Sequence, residues 1–299
     1  MKTLFVMEKW CDGNPARGLT NSFSNILETY PHKCFKVLFI DECLTQGVHC
    51  DSVLESVNEE DFDVIIFSFL GNSHFNPSIE KCKQLGEHTK LCFMWPDTGY
   101  GWARELILSL DDFVHISWAA EDLPPLTKHH KFLWTAESRR LFYPCEKEIK
   151  ASFIGSLYGY NDRSRYLDHV KDLVTVSGGQ RENALTPEDY AKMIRTSLIN
   201  INFCESPSGK DQVKGRVFES IASQSLLLEK KNDVTSRFFE PGKDYIEFTD
   251  EEDLRRLIQH YLNNPDEAKE IAQRGYEKYM KNYTSEIFWK EVQKCLTSH

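Results

Sequence analysis

Leu198-Ile199-Asn200-Ile201-Asn202-Phe203, the polar run Cys204-Glu205-Ser206-Pro207-Ser208-Gly209-Lys210-Asp211, and then Lys214-Gly215-Arg216-Val217-Phe218-Glu219 decide how this chain is read. The first run is apolar, rich in Ile and short, which predicts a strand. The last predicts a helix over 216–222, with Val217, Ile221 and Ala222 packing it on a sheet. Strand, polar loop and helix make one step of a parallel α/β sheet, and in such sheets ligands bind beyond the carboxyl ends of the strands. The amides of a helix start, with Lys214 and Arg216, would neutralise a diphosphate, and Glu219 would accept hydrogen bonds from ribose hydroxyls. The same residues also fit an exposed, charged helix start.

Outward from this segment the pattern repeats. Strands are predicted at 152–155, 173–177, 198–203, 225–229 and 245–248, with helices at 163–170, 187–195 and 216–222. Thr186-Pro187 with Glu188 and Asp189 has the chemistry of a helix start: a hydroxyl cap, proline at the first helical position, and acids complementing the dipole. The first half alternates in the same way. Apolar runs at 3–7, 35–40, 64–69, 91–95 and 114–118, with a weaker one at 131–134, predict strands covered on both faces. Helices are predicted at 19–30, 50–57, 78–87 and 102–110. Residues 141–150, with Pro144 and mixed charges, read as a linker. The chain is therefore divided into an N-terminal α/β domain over 1–145, a second over 150–283, and a helix over 284–299 expected to pack back on the first.

The 299 residues carry 40% hydrophobic and 27% charged side chains, the mix of a globular protein with a real core. A net charge of -10 argues against general nucleic-acid binding, which needs surplus Lys and Arg. Nine Cys at irregular spacing, with no Cys-x-x-Cys pair, fit free thiols in a reducing compartment. Met1–Met7 is too short for a secretory signal and no run approaches a membrane span, so a cytoplasmic location is expected.

Other loops after strands carry candidate chemistry. Gly155-Ser156 ends a strand ahead of a helix bearing Arg163 and Arg165, an arrangement suited to an anion or simply a tight turn with solvated arginines. In the first half, the loop 12–18 follows the first strand, Gly71-Asn72-Ser73-His74 the third and Pro96-Asp97-Thr98-Gly99 the fourth. Asp97 fits a helix cap or a general base, and His74 a base or a loop histidine with a local hydrogen bond. Asp61-Phe62-Asp63 precedes its strand, the wrong end of the sheet for a ligand. In His129-His130, adjacent side chains point apart, and a surface location is expected.

The ordered series 214–229, Phe239-Glu240-Pro241-Gly242-Lys243-Asp244-Tyr245, Asn264-Pro265-Asp266-Glu267, Ile271-Ala272-Gln273-Arg274-Gly275-Tyr276 and Tyr283-Thr284 resembles the C-terminal domain of group-1-like glycosyltransferases. The spore-coat-maturation type of glycosyltransferase-like domain is the most similar. The resemblance spans about 150–285. It implies a GT-B fold, two Rossmann-like domains facing a cleft with C-terminal helices, that binds a nucleotide sugar as donor. It implies that Glu219 binds the donor ribose, with the pattern's other acid eight residues earlier, where this chain has the shorter Asp211. It also implies a basic pair on the diphosphate, Arg163 and Arg216 or else Lys214, and a place for the nucleotide base near Gly178. No cofactor and no metal is expected. The expected activity is transfer of a hexosyl or related group to an unidentified glycan, protein or small molecule. A nucleotide-sugar epimerase and a non-catalytic binding protein are the alternatives.

Overall fold

The computed structural model describes residues 1–10, 25–57, 61–95, 98–120, 127–157, 161–179, 185–206 and 209–297. Its contacts divide the chain into two units, one formed by Met1–Leu133 with Glu286–His299 and the other by Trp134–Ser285. The boundary thus falls ahead of the Pro144 segment.

The first unit holds a parallel sheet of β1 (Thr3–Met7), β2 (Phe35–Phe39), β3 (Val64–Ser68), β4 (Lys90–Trp95), β5 (Val114–Ala119) and β6 (His130–Phe132), in the order β2-β1-β3-β4-β5-β6. Thr3 pairs with Phe35 on one side and Val64 on the other. All five residues of β1 and of β3 are buried, which is why these runs lack polar alternation. Phe67 and Phe93 stack at 4.9 Å between β3 and β4. The helices are α1 (Asn25–Thr29), α2 (Ile40–Gln46), α3 (Cys50–Leu54), α4 (Ile79–Gly86) and α5 (Gly101–Leu110). Helix α4 starts where Ser78 Oγ accepts from the Lys81 amide.

Two expectations fail here for identifiable reasons. The strand predicted through Ile40 stops at Phe39, and α2 follows at once. Asp41 and Glu42 in its first turn and Gly47 at φ 67° after its last are ordinary helix signals that the apolar run concealed. His130 is not a surface residue. It lies on β6, buried, with Nδ1 2.6 Å from Ser117 Oγ of β5, and burial lowers its pKa to about 4. His129, in the turn just before β6, is half-buried, so neither histidine of the pair stands fully on the surface.

The second unit holds β7 (Ile149–Ser156), β8 (Thr175–Gly179), β9 (Ser197–Asn202), β10 (Leu226–Lys230) and β11 (Ile246–Phe248), all parallel, in the order β11-β10-β9-β7-β8. Around it lie α6 (Asn161–His169), α7 (Pro187–Thr196), α8 (Gly215–Ala222), α9 (Glu251–Asn263) and α10 (Pro265–Asn282). Thr186 Oγ1 accepts from the Asp189 amide at the start of α7, as its sequence predicts. Asp250 does the same for Asp253 at the start of α9. Helix α11 (Ser285–Thr297) continues into the first unit, where Trp289 Nε1 donates to Thr29 Oγ1 at 3.1 Å and Gln293 meets His32 at 2.8 Å.

In both sheets the strand order reverses once, between β1 and β3 in the first unit and between β7 and β9 in the second. Loops on either side of such a point leave in opposite directions and open a crevice. No helix among the described residues is long and apolar enough to cross a membrane.

Candidate functional site

The switch point of the second sheet collects most of the residues singled out from sequence. At the end of β7, Gly155 lies so near Arg216 that a Cβ there would stand 2.5 Å from Nη2. Gly178 at the end of β8 has φ 122°, and a Cβ on it would run into the Gly155 carbonyl oxygen. These glycines let two strand ends and an arginine share one small volume.

Arg216, in the first turn of α8, is held on several sides. Its Nη1 donates to Asn202 Oδ1 at the end of β9, and its guanidinium lies 5.3 Å over the Phe153 ring. Asn202 Nδ2 donates in turn to Glu229 Oε2 at 2.8 Å. Glu229 is fully buried, and burial raises its carboxyl to about 8 against the opposing pull of Asn202, Arg216 and Lys214. The Nε of Arg216 is buried and makes no hydrogen bond among the described residues. The result is a cation set in place by neutral groups, with donor capacity to spare.

Arg163 is engaged by the chain's own carbonyls. It is buried, its Nη1 donates to the Ser156 carbonyl at 3.2 Å, and its Nη2 to the carbonyls of Glu205 at 2.8 Å and Phe203 at 3.4 Å. It ties the loop after β7 to the loop after β9. Arg165 points elsewhere, into an ion pair with Glu251. Lys214 stands at the cap position of α8 and its Nζ donates to Gln212. Asp211 is exposed; Cys204 Sγ donates to its Oδ1 at 3.1 Å, and its backbone bridges to Glu205.

Glu219, one turn into α8, is 7% exposed and takes a hydrogen bond on Oε2 from Tyr190 Oη of α7. Burial raises its pKa to about 7, with Tyr190 and Arg216 pulling the other way. Beside it lies a residue that the sequence reading passed over. Glu137, 4% exposed, is pushed well above the ordinary carboxyl range by burial and by the charge of Glu219. Its only sequence signal is an acid placed directly after Trp134-Thr135-Ala136. Together these groups offer a fixed cation, the amino end of α8 and two buried carboxyls, a set that can hold an anion next to hydroxyl groups.

In the first unit His74 is exposed in the turn after β3, its ring against Phe75 at 4.2 Å. Asp97 and the 12–18 loop lie outside the described residues. The sequence reading also missed Asp41, fully buried at the start of α2, whose Oδ2 accepts from the amides of Lys9 and Trp10 and whose pKa burial raises. Asp63 sits at the amino end of β3, accepting from the Lys2 amide at 2.7 Å. Among the described residues no three His, Cys, Asp or Glu side chains gather as metal ligands.

Residues 127–293 match the family described as glycosyl transferase-like. None of the curated proteins compared matches the chain. The fold is similar to that of HepE from Anabaena in complex with UDP and glucose, at 11% identity and a TM-score of 0.68 over the whole of both chains. It is similar to a sucrose-phosphate synthase from Thermosynechococcus elongatus, at 11% identity and a TM-score of 0.64 over 98% of each. TarM of S. aureus in complex with fondaparinux, alpha-GlcNAc-glycerol and UDP aligns at 13% identity and a TM-score of 0.59, over 83% of this chain and 58% of TarM.

Proposed function

Given that the chain belongs to the glycosyl transferase-like family, we propose that it moves a hexosyl or related group from a nucleoside-diphosphate donor to an acceptor hydroxyl. Its two parallel α/β units are those of the GT-B fold. The observation that carries the reading is Arg216, a guanidinium anchored by Asn202 under Gly155 at the switch point, with the amides of α8 beside it and Glu219 one turn on. As the bond from the sugar's anomeric carbon to the diphosphate oxygen breaks, negative charge grows on the diphosphate. Arg216, the helix amides and Lys214 meet that charge without rearranging. Glu219, through Oε1, accepts from the donor ribose. No divalent ion takes part in this reading.

The acceptor, a glycan, protein or small molecule, forms the new bond to the anomeric carbon and gives up its proton. Where the configuration inverts, Asp97 or His74 receives that proton; in a retaining transfer it passes to the departing diphosphate oxygen, and no such side-chain base is needed. UDP bound to HepE and TarM, and UDP-glucose bound to HepE, make a uridine-diphosphate sugar the first donor to try. Calorimetric titration with UDP, GDP, CDP and ADP tests the reading. One of them should bind, and Arg216→Gln should weaken it on the order of tenfold to a hundredfold. If none binds, the proposal fails.

The exposed position of Asp211 favours one second reading, binding of a nucleotide sugar without transfer. A donor that binds yet stays intact with every acceptor offered would support it, while a sugar altered without an acceptor would mark an epimerase.

A further inference from the structure

Glu137 has no role in the reading above, and its surroundings ask for one. It is buried, and its carboxyl makes no hydrogen bond among the described residues. A buried carboxyl with no hydrogen bond among the described residues is costly to keep, and a ligand that brings a donor would relieve it. Glu137 does not cap α8: it stands beside the helix start without bonding to its amides.

The geometry around Gly215, the first residue of α8, shows where the missing partner belongs. A methyl group built on Gly215 would lie 3.3 Å from Glu137 Oε1 and 3.6 Å from Glu219 Oε1. Two carboxyl oxygens therefore converge on one spot that the glycine leaves open. The other oxygen of Glu219 is already engaged by Tyr190, so Oε1 is the one that remains to accept. The charge of Glu219 already raises the Glu137 carboxyl across this small space, and a group bringing two donors would satisfy one oxygen of each.

We propose that Glu137 and Glu219 together clasp a vicinal diol of the donor, one hydroxyl to each Oε1, and that Glu137 sets the preference for a ligand carrying that diol. The inference rests on the donor-site reading above. The diol is that of the ribose, the group that Glu219 Oε1 takes in that reading, and Glu137 is the second carboxyl on it.

Calorimetric titration with the best-binding nucleoside diphosphate, its 2′-deoxy and 3′-deoxy forms and the matching nucleotide sugar is run on the wild type, Glu137→Leu and Glu137→Gln, beside thermal melts of each free protein. Glu137→Leu should bind the ribonucleotide about tenfold more weakly and lose most of the discrimination against the deoxy forms. Glu137→Gln keeps one acceptor oxygen and should keep part of both. The free Leu variant should melt no lower than the wild type, since it removes a buried carboxyl with no partner among the described residues. If nucleotide affinity holds but nucleotide-sugar affinity falls, Glu137 meets the transferred sugar and the ribose clasp is overturned. Unchanged affinities for every ligand, or a loss that merely follows a lowered melting temperature, overturn the inference while leaving the donor site in place. A wild type that binds no nucleoside diphosphate overturns both.

Discussion

Tyr190 Oη donates to Glu219 Oε2, joining α7 to α8 across the second unit and leaving the other oxygen of Glu219 toward Gly215. The bond fixes which oxygen of Glu219 faces a ligand and holds the carboxyl in one rotamer. Tyr190→Phe should therefore lower nucleotide affinity about tenfold and cost roughly 1–3 kcal/mol of stability, because a buried carboxyl loses its donor. Titration and denaturant melts of the variant check both. Affinity that is unaltered while stability falls would make Tyr190 a purely structural residue.

The pH behaviour of free protein and ligand binding should run in opposite directions. Burial holds Glu219 at about 7 in the folded chain, against the ordinary value of 4.5. Between those values the folded state binds the proton that the unfolded state has released, so each rise in pH costs stability there, and the full cost stands above about 7. Glu229, held at about 8, extends the same trend upward. Hydroxyls donate best to an ionised carboxylate, so nucleotide affinity should rise over the window in which the free protein melts lower. Melts and titrations from about pH 5 to pH 9 check this; affinity falling with pH would contradict it.

Gly155→Ala should weaken binding and cost some stability too, since φ 158° at this position strains any side chain. The added methyl would meet the end of the Arg216 side chain, which can move, rather than fixed backbone. Displaced from Asn202, the guanidinium no longer stands where a diphosphate needs it, and affinity should drop on the order of tenfold. Comparing the dissociation constant with the melting temperature shows which of the two carries the change.

How far the sequence reaches depends on the distance over which each feature is decided. β1 and β3 are legible because burial on both faces leaves an uninterrupted apolar run. The start of α7 is legible because Thr186, Pro187 and Asp189 lie within four residues. Glu219 is legible through its place in the series 214–229. Glu137 is not, because its meaning comes from Gly215 and Glu219, some eighty residues away, and nothing local distinguishes it from a surface acid. Asp41 is hidden in the same way, since the amides it accepts from belong to the chain after β1. The arginines mark a different limit: composition and spacing propose a cation but not whether its donors face a ligand or the chain's own carbonyls.

Arg163 makes that limit testable. Were it a diphosphate ligand alone, Arg163→Ala would weaken nucleotide binding and leave the free protein as stable as before. Its donors instead reach the carbonyls of Ser156, Phe203 and Glu205, from the ends of two adjacent strands. Without the guanidinium those buried carbonyls lose a charged donor, and the loops after β7 and β9 lose their tie. The loss is about 3 kcal/mol, which in a unit of this size lowers the melting temperature by roughly 5–10 °C. Arg163→Lys should recover only a fraction, since one ammonium cannot span three carbonyls as the planar fork does. Nucleotide affinity should fall as well, but only because the two loops drift, and saturating nucleotide should not restore the melting temperature of the variant to that of the ligand-bound wild type. A free Arg163→Ala protein that melts like the wild type would return this residue to the ligand.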